Sequence, residues 1–225
     1  MLKSGMEIKK RNSINYVYRD NKQLVNKQWL GGMFSCFYDS IMKNSVFPKK
    51  FEASLEVHNH FLEIEFKDTH NKCIIELATG SGNVSNFLPS DNKYVGTDIS
   101  VGLLKIANRK FKKRNIIDFE LFASPAEDVP VQDGFADICI CNLSLNFFVN
   151  IDLVIKEIRR SLKENGVFIC TVPVPERNRK QSIIRGALHS EGKLKQMFEN
   201  AGFAFYQYDI KNGALFYFKA IKKHS

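Results

Sequence analysis

The sequence has no apolar run of the roughly 18 residues that a membrane-spanning helix needs. Its first residues, Met1 to Arg11, also lack the apolar stretch of a secretory signal. We therefore expect a cytoplasmic protein without a membrane span.

Disulfide and metal-site patterns are also missing. The five cysteines include no Cys-x-x-Cys pair, and no histidine lies near them at metal-ligand spacing. Cys73, Cys139, Cys141 and Cys170 lie in apolar runs, while Cys36 lies among aromatic residues. We expect small buried side chains, with neither a disulfide nor a bound metal.

Acidic residues are fewer than basic ones, which leaves a net charge of +9. An acidic partner is compatible with this charge, such as RNA, a phosphorylated metabolite or an anionic membrane surface. The charge alone favours none of them, because lysine-rich surfaces are common. The 225 residues and 44% apolar content suffice for one sizeable core, so one domain is expected.

Three segments differ in their pattern. Residues 1–33 are polar and poorly periodic, which indicates an N-terminal arm outside the core. Residues 34–66 place apolar side chains at helical spacing, interrupted at Pro48, which predicts a lid of two helices. Residues 67–225 alternate short apolar runs with amphipathic stretches, which is typical of βαβ units.

The third segment contains seven strand-like runs. The last two flank Lys211-Asn212-Gly213, a strong hairpin signal that makes them antiparallel. We therefore predict an α/β fold with a doubly wound, Rossmann-like sheet of seven strands, parallel except for one strand in a C-terminal hairpin. The predicted strands are residues 74–78, 94–97, 119–122, 136–141, 167–172, 203–209 and 214–221.

A glycine-rich turn follows the first of these strands. Cys73 to Asn83 reads as a buried strand, a loop with Gly80 and Gly82, and then a helix. Glycine lets backbone N–H groups approach a ligand where a Cβ would clash. A tight turn between strand and helix would need the same residues, so this loop alone indicates nucleotide binding only weakly.

An acid at the end of the next strand makes the pattern more specific. Asp98 follows Gly82 by 16 positions in Tyr94-Val-Gly-Thr-Asp98. Parallel strands end side by side at one sheet edge, where such a carboxylate accepts hydrogen bonds from ribose hydroxyls. The alternative is a helix N-cap. Ala126 and Asn142 follow the third and fourth strands, so both are expected at the same cleft.

On these residues the chain resembles the class I methyltransferases, and especially the small-molecule branch with the ubiquinone and menaquinone C-methyltransferases. The resemblance extends from about Phe34 to the C-terminus. The first motif of the family, acid-x-Gly-x-Gly-x-Gly, is matched by Glu76-x-Ala78-x-Gly80-x-Gly82. Ala78 replaces its first glycine, which we expect to be a mild substitution.

The resemblance implies S-adenosylmethionine as cofactor. It implies that Ser81 and the loop backbone face its methionine part, that Asp98 binds its ribose and that the Ala126 N–H meets its adenine. Pro125 departs from the family pattern, which puts a side-chain bond to the adenine amino group in doubt. The cofactor-binding residues expected are Glu76, Ala78, Gly80, Ser81, Gly82, Asp98, Ile99, Pro125, Ala126 and Asn142.

No strong catalytic base is required, because the sulfonium of the cofactor carries the reactivity. Weak candidates for a role in catalysis are Tyr38, at the position of a Tyr-Asp pair in the lid of related enzymes, and His189, near the end of the fifth strand. His58 and His60 are expected to be structural, since two residues apart on a helix they point to different faces.

Two basic clusters differ in expected position. Lys110 to Arg114 ends a helix and is expected at the edge opposite the cleft, where it complements the helix dipole. Arg177, Arg179, Lys180 and Arg185 follow the fifth strand and are expected over the cleft, where they could bind an anionic acceptor or remain a solvated loop.

The sequence favours methyl transfer to a carbon, oxygen, sulfur or amine of a small molecule. Asn142-Leu143-Ser144 replaces the Asn-Pro-Pro-aromatic signature of adenine and glutamine N-methylation. An RNA methyltransferase and a non-catalytic cofactor-binding protein of the same fold remain as alternatives. A dinucleotide-dependent oxidoreductase is disfavoured, because Ser85 occupies the third glycine position of its fingerprint.

Overall fold

A computed structural model describes residues 2–25 and 37–224. In these residues, ten strands form one sheet in the order β1-β2-β6-β5-β4-β7-β8-β10-β9, with β3 paired to β2. The strands are β1 (Met6–Arg11), β2 (Ile14–Arg19), β3 (Lys22–Gln23), β4 (Cys73–Leu77), β5 (Lys93–Asp98), β6 (Phe119–Ala123), β7 (Ala136–Asn142), β8 (Leu162–Pro173), β9 (Phe203–Gln207) and β10 (Leu215–Lys222).

Five α-helices accompany the sheet in the described residues. They are α1 (Tyr38–Ile41), α2 (Leu55–Phe66), α3 (Val101–Lys113), α4 (Ile151–Ser161) and α5 (Glu191–Asn200). A π-helical segment, Met42–Phe51, continues α1. It runs through Pro48, where the sequence predicted the break between two helices. The chain turns instead at Glu52, whose φ of 52° is left-handed.

The central strands are buried on both faces, as in other doubly wound sheets. Ile74, Ile75 and Leu77 of β4 are fully buried. On one face the apolar stripe of α4 packs with α5, and on the other face α2 and α3 pack with the segment after α1. This arrangement confirms the predicted Rossmann-like fold.

The seven predicted strands are all present, and β10 is antiparallel to both β8 and β9, as the hairpin signal predicts. The predicted number of strands was nevertheless too low. Strands β1 to β3 extend the sheet beyond β6, and β1 and β3 are antiparallel to β2. Only β2 joins the core strands directly, running parallel to β6.

Residues 6–23 are therefore not an arm outside the core. Ile14 and Val17 of β2 are fully buried. The misleading polarity came from β1, whose Lys9, Lys10 and Arg11 are exposed at the sheet edge. The turns Asn12-Ser13 and Asp20-Asn21 have positive φ angles typical of tight hairpins and were the available signal. Residues 26–36, including Cys36 and the predicted lid start at Phe34, lie outside the described residues.

The helix expected between β4 and β5 is shorter than the sequence predicts. Instead of a full helix, a single 3-10 turn, Asn83–Asn86, follows the glycine loop. The loop therefore rests directly on α3. A Cβ on Gly82 would lie 2.9 Å from the Ala107 Cβ, so this contact requires glycine.

Candidate active site

The glycine loop lies at the carboxyl edge of the sheet, where ligands of doubly wound folds bind. Gly80 and Gly82 have φ angles of 56° and 76°, and Ala78, which begins the loop, has a φ of 51°. All three residues adopt the left-handed conformation that glycine tolerates best. This local path turns the chain sharply at the end of β4 and leaves space beside the loop.

Asp98 is held against this loop by backbone donors. Its Oδ2 accepts a hydrogen bond from the Gly80 N–H at 2.8 Å, and its Oδ1 accepts one from the Ser100 N–H at 2.7 Å. Burial raises the pKa of the carboxyl to about 6, while these N–H groups act in the opposite direction. Strand β5 thus places the Asp98 carboxyl beside the glycine loop, as the sequence spacing predicts.

Glu76 of β4 lies at the same edge of the sheet and is more deeply buried than Asp98. It is 2% exposed, and the Tyr94 hydroxyl donates a hydrogen bond to its Oε2. Burial raises the pKa of this carboxyl to about 8, and the negative charge of Asp98 adds to the effect. Glu76 is therefore largely protonated at neutral pH while nothing cationic is bound beside it.

A cavity of about 350 Å³ lies between the glycine loop, the end of β7, and the segment that begins at Tyr38. Of the predicted site residues, Glu76, Ala78, Gly80, Ser81 and Asn142 line it. Tyr38, one of the two weak catalytic candidates, also lines it. Three sequence-distant segments therefore meet here.

The segment from Tyr38 to Phe51 covers the loop and is fixed to it by polar contacts. The Ser81 hydroxyl donates to Asp39 Oδ1 at 2.6 Å, and Lys110 Nζ lies 2.6 Å from Asp39 Oδ2. Burial raises the pKa of the Tyr38 hydroxyl to about 12, with further contributions from Asp98, Asp39 and Glu76. Tyr38 therefore remains a neutral phenol at the cavity.

The predicted position of Lys110 was wrong. Lys110 lines the cavity instead of lying at the opposite edge. Because only one short turn follows the glycine loop, α3 packs directly against that loop, and Lys110 Nζ comes within 3.1 Å of Ser81 Oγ. A longer helix after the loop, as the sequence suggested, would have separated them.

His58 also lines the cavity, although the sequence analysis gave it only a structural role. It is 1% exposed, and burial lowers the pKa of its ring to about 4. His60 is exposed, so the two histidines lie on different faces of α2, as their spacing predicts. Helical spacing from His58 to Phe61 and Leu62 was the signal for the buried face of α2, but it could not show that this face ends in a cavity.

Several buried polar atoms beside the cavity have no hydrogen-bond partner among the described residues. These are His58 Nε2, Asn59 Oδ1 and Asn142 Oδ1. The Asn142 side chain interacts with the His58 ring and favours its protonated form, against the larger effect of burial on the pKa of the ring. A buried polar group without a partner costs about 1–3 kcal/mol. Such a cluster is typical of a site that binds a polar ligand.

The remaining predicted residues lie outside the lining of this cavity. Ile99 follows Asp98 and is 45% exposed, while Ala126 is buried in the loop after β6. That loop adjoins Asp98, because the Ser124 N–H donates to the Asp98 carbonyl at 3.2 Å. Pro125 lies between Ser124 and Ala126 in the same loop. Gly82 packs against Ala107 of α3. Neither Gly82 nor His189 lines the cavity.

Within residues 2–25 and 37–224, no cluster of three or more side chains could hold a metal ion. No helix of this part of the chain is long and apolar enough to cross a membrane.

Comparison with known protein families matches residues 75–170 to a methyltransferase domain. The matched region begins within β4, includes the glycine loop and Asp98, and ends within β8. It therefore contains the glycine loop that lines the cavity and Asp98, which accepts a hydrogen bond from that loop.

The proteins similar in sequence include three whose names state an enzymatic activity. The sterol 4-C-methyltransferase of Caenorhabditis elegans is 30% identical over 54% of this chain and 39% of that protein. The release factor glutamine methyltransferase of Mycoplasma mycoides is 31% identical over 78% and 53%. A ubiquinone/menaquinone biosynthesis C-methyltransferase of Rickettsia bellii is 31% identical over 44% and 44%. The chain thus spans about half or less of each relative.

A solved structure with the same fold is that of a putative S-adenosylmethionine dependent methyltransferase from Listeria monocytogenes. It aligns with a TM-score of 0.63 at 16% identity, covering 75% of this chain and 98% of that one. At this identity the likeness establishes the fold.

Proposed function

We propose that this chain, whose residues 75–170 match a methyltransferase domain, transfers the methyl group of S-adenosylmethionine to a small-molecule acceptor. The observation that carries the proposal is the cavity between the glycine loop and the covering segment Tyr38–Phe51. A partly open cavity of about 350 Å³ has a size suited to small ligands.

The residues at the loop fit the cofactor. Gly80 lines the cavity without a Cβ, and the buried Asp98 lies at the adjoining strand end. We assign Glu76, Ala78, Gly80 and Ser81 to the methionine part and Asp98 to the ribose. Ile99, Pro125 and Ala126 would border the adenine. Gly82 would hold the glycine loop against α3, and Asn142 would line the side of the cavity formed by the end of β7.

S-adenosylmethionine supplies an electrophilic methyl group on a positively charged sulfur, so the protein mainly positions the acceptor. The Glu76 carboxyl, whose pKa is raised to about 8, can balance a cationic ligand by giving up its proton, while Asp98, with a pKa of about 6, is mostly ionised at neutral pH. The segment Tyr38–Phe51 keeps water from the cavity, which strengthens these interactions. This segment falls within residues 34–66, for which the sequence predicts a lid.

The nature of the acceptor is supported by the end of β7. Asn142-Leu143-Ser144 lines the cavity without the Asn-Pro-Pro-aromatic signature of adenine and glutamine N-methylation. Of the named relatives, one is a sterol methyltransferase and another is a C-methyltransferase of ubiquinone/menaquinone biosynthesis. A carbon or oxygen acceptor on such a molecule agrees best with the apolar walls provided by Met42, Phe47 and Leu55.

The second candidate is methyl transfer to RNA, favoured by the net charge of +9 and by exposed Arg179, Lys180 and Arg185 after β8. The same loop was also a candidate for binding an anionic small acceptor. Arg177 contributes little to either role, because it bonds Glu191 at 2.5 Å and the Ile210 carbonyl at 2.8 Å.

The test is transfer of labelled methyl groups from S-adenosylmethionine into a cell extract divided into a low-mass filtrate, RNA and protein. The proposal predicts label in the low-mass fraction, and none with heat-denatured protein. Label confined to RNA would favour the second candidate. Absence of label from every fraction, with a protein that binds the cofactor, would favour the non-catalytic alternative.

A further inference from the structure

Two loops at the carboxyl edge of the sheet are fixed side by side. One is the turn after β7, residues 145–149, and the other is the loop that follows β8, residues 179–187. Asn146 Nδ2 donates a hydrogen bond to the Arg185 carbonyl at 2.6 Å, and the Ala187 N–H donates one to the Asn146 carbonyl at 2.7 Å. The turn and the loop therefore share one surface.

The outward side chains of this surface include three large apolar ones. Phe147 is 57% exposed, Val149 is 99% exposed and Ile183 is 80% exposed. A single exposed apolar side chain is common, because polar groups cannot cover the whole surface of a protein. Three of them on two joined loops form a patch, and such patches with a polar rim are typical of sites that bind another protein or a membrane.

Basic side chains surround this patch. The segment Tyr38–Phe51 adjoins the loop after β8, since the Ser182 hydroxyl lies 3.4 Å from the Lys49 carbonyl oxygen. We define the docking face as the two loops together with residues 48–50. Its sequence contains no acidic residue and five basic ones, all of them exposed: Lys49, Lys50, Arg179, Lys180 and Arg185.

Acidic side chains next to the docking face do not cancel its charge. Those that adjoin it in sequence are Glu52, Asp152 and Glu176. Of these, Glu52 Oε2 lies 4.0 Å from Lys180 Nζ. Five basic side chains against three acidic ones leave the face positive. The face therefore combines exposed apolar groups with positive charge.

We infer that the docking face binds the surface of an anionic lipid bilayer. Phe147, Val149 and Ile183 enter the boundary between headgroups and acyl chains, while the basic side chains contact anionic headgroups. RNA would use the positive charge but would gain little from the aliphatic Val149 and Ile183. A second copy of the chain, bound face to face, would bring like charges together.

The docking face adjoins the cavity of the candidate active site. Leu143 and Ser144 line that cavity and lead directly into the turn after β7. Binding to a bilayer places this side of the cavity at the membrane, where apolar small molecules accumulate. The inference goes beyond the proposed function, because binding to a bilayer needs neither the cofactor nor a methyl acceptor.

The test is co-sedimentation of the full chain, without cofactor, with vesicles of phosphatidylcholine alone or of equal parts phosphatidylcholine and phosphatidylglycerol. Wild type should bind the mixed vesicles and bind phosphatidylcholine vesicles much more weakly. Val149→Ser combined with Ile183→Ser should weaken binding to the mixed vesicles by about tenfold, because two aliphatic side chains no longer enter the acyl region.

The matched control for the serine pair is Ile64→Ser combined with Ile117→Ser. Ile64 is 53% exposed in α2 and Ile117 is 88% exposed before β6, and both lie outside the docking face. This control should bind the mixed vesicles as wild type does. Circular dichroism shows that the variants are folded, and Val149→Ser alone replaces the pair if the pair does not fold.

The positive charge is tested separately. Changing Arg179, Lys180 and Arg185 together to Gln should weaken binding to the mixed vesicles by at least about tenfold, since each basic residue is attracted to the anionic surface. The control removes the same charge from α3 by changing three exposed lysines to Gln, and it should lose less than about threefold in affinity. These lysines are Lys105, Lys112 and Lys113.

Absence of wild-type binding to the mixed vesicles would overturn the inference. It would also be overturned if either set of variants bound these vesicles as tightly as its own control. A gel shift with transfer RNA is run in parallel. RNA binding by wild type without vesicle binding would assign the basic side chains to RNA instead of a membrane. None of these outcomes depends on methyl transfer, so they are distinguishable from failure of the proposed function.

Discussion

Ala78 adopts a conformation that a residue with a Cβ does not favour. Its φ is 51°, at the position where the family motif has its first glycine. The left-handed conformation costs an L-residue about 1–2 kcal/mol. The substitution expected to be mild from the sequence therefore strains the loop, a property that only the backbone angle reveals.

Ala78→Gly should raise the free energy of unfolding by about 0.5–1 kcal/mol, because relief of strain exceeds the added entropy of the unfolded chain. Urea denaturation measures the difference. Ala204→Gly in β9, where φ is not positive, is the control and should lower stability by a similar amount. A loss of stability in Ala78→Gly would refute the strain.

Glu76 should make stability depend on pH. Its pKa is raised from 4.5 to about 8 by burial, so the folded chain holds a proton that the unfolded chain has lost. The contribution of this group to stability therefore falls as pH rises from about 4.5 to about 8, by on the order of a few kcal/mol.

Glu76→Gln removes this titration. Its stability relative to wild type should increase from pH 5 to pH 9, measured by urea denaturation at each pH in the absence of ligand. Glu63→Gln, on an exposed side chain, should follow wild type throughout. A constant difference between Glu76→Gln and wild type would show that the carboxyl is ionised in the folded protein.

At the scale of elements, the C-terminal hairpin also supports the covering segment. The Ala214 N–H donates to the Phe51 carbonyl at 2.7 Å, and a Cβ on Gly213 would overlap the Phe51 carbonyl oxygen. The Asn-Gly signal predicted the turn between β9 and β10. Its contact with residues more than 150 positions earlier depends on the packing of the whole fold.

Gly213→Ala should therefore lower stability by about 2–3 kcal/mol, since strain at a φ of 57° is added to displacement of Phe51. It should also increase proteolysis within residues 42–51. Gly134→Ala is the matched control, with a φ of 61° and no atom within 4 Å of the added Cβ. Equal losses in the two variants would argue against the contact with Phe51.

Sequence periodicity predicted the central strands and α5 because buried parallel strands and amphipathic helices leave strong local patterns. It did not predict the short turn after Gly82 or the position of Lys110. Both depend on the close packing of the loop against Ala107. The spacing of Gly80 and Asp98 predicted their meeting, since parallel strand ends share an edge, but the cavity at His58 needed three-dimensional contacts.

On the scale of the whole molecule, the sheet extends to the N-terminal hairpin. Lys3 joins this region to the core through Asp128 at 2.9 Å and Glu157 at 3.0 Å, and Glu157 also bonds Arg160. Val17 of this hairpin is fully buried and packs in the same core as β4 and β5. Residues 6–23 should therefore unfold together with the rest of the protein.

Val17→Ala should lower the free energy of global unfolding by about 2 kcal/mol, the cost of removing two buried methyl groups. Val149→Ala, at a residue that is 99% exposed, should change it by less than about 0.5 kcal/mol. Denaturation followed by fluorescence and by circular dichroism checks both variants. An effect of Val17→Ala as small as that of the control would place the hairpin outside the cooperative core.

The central claim is that the glycine loop and Asp98 bind S-adenosylmethionine. The most direct measurement is calorimetric titration of the folded protein with S-adenosylmethionine and S-adenosylhomocysteine, together with Asp98→Ala and the exposed control Asp118→Ala. We predict micromolar binding that Asp98→Ala abolishes and Asp118→Ala retains. Absence of binding to folded wild type, or equal binding by a folded Asp98→Ala, would contradict the account.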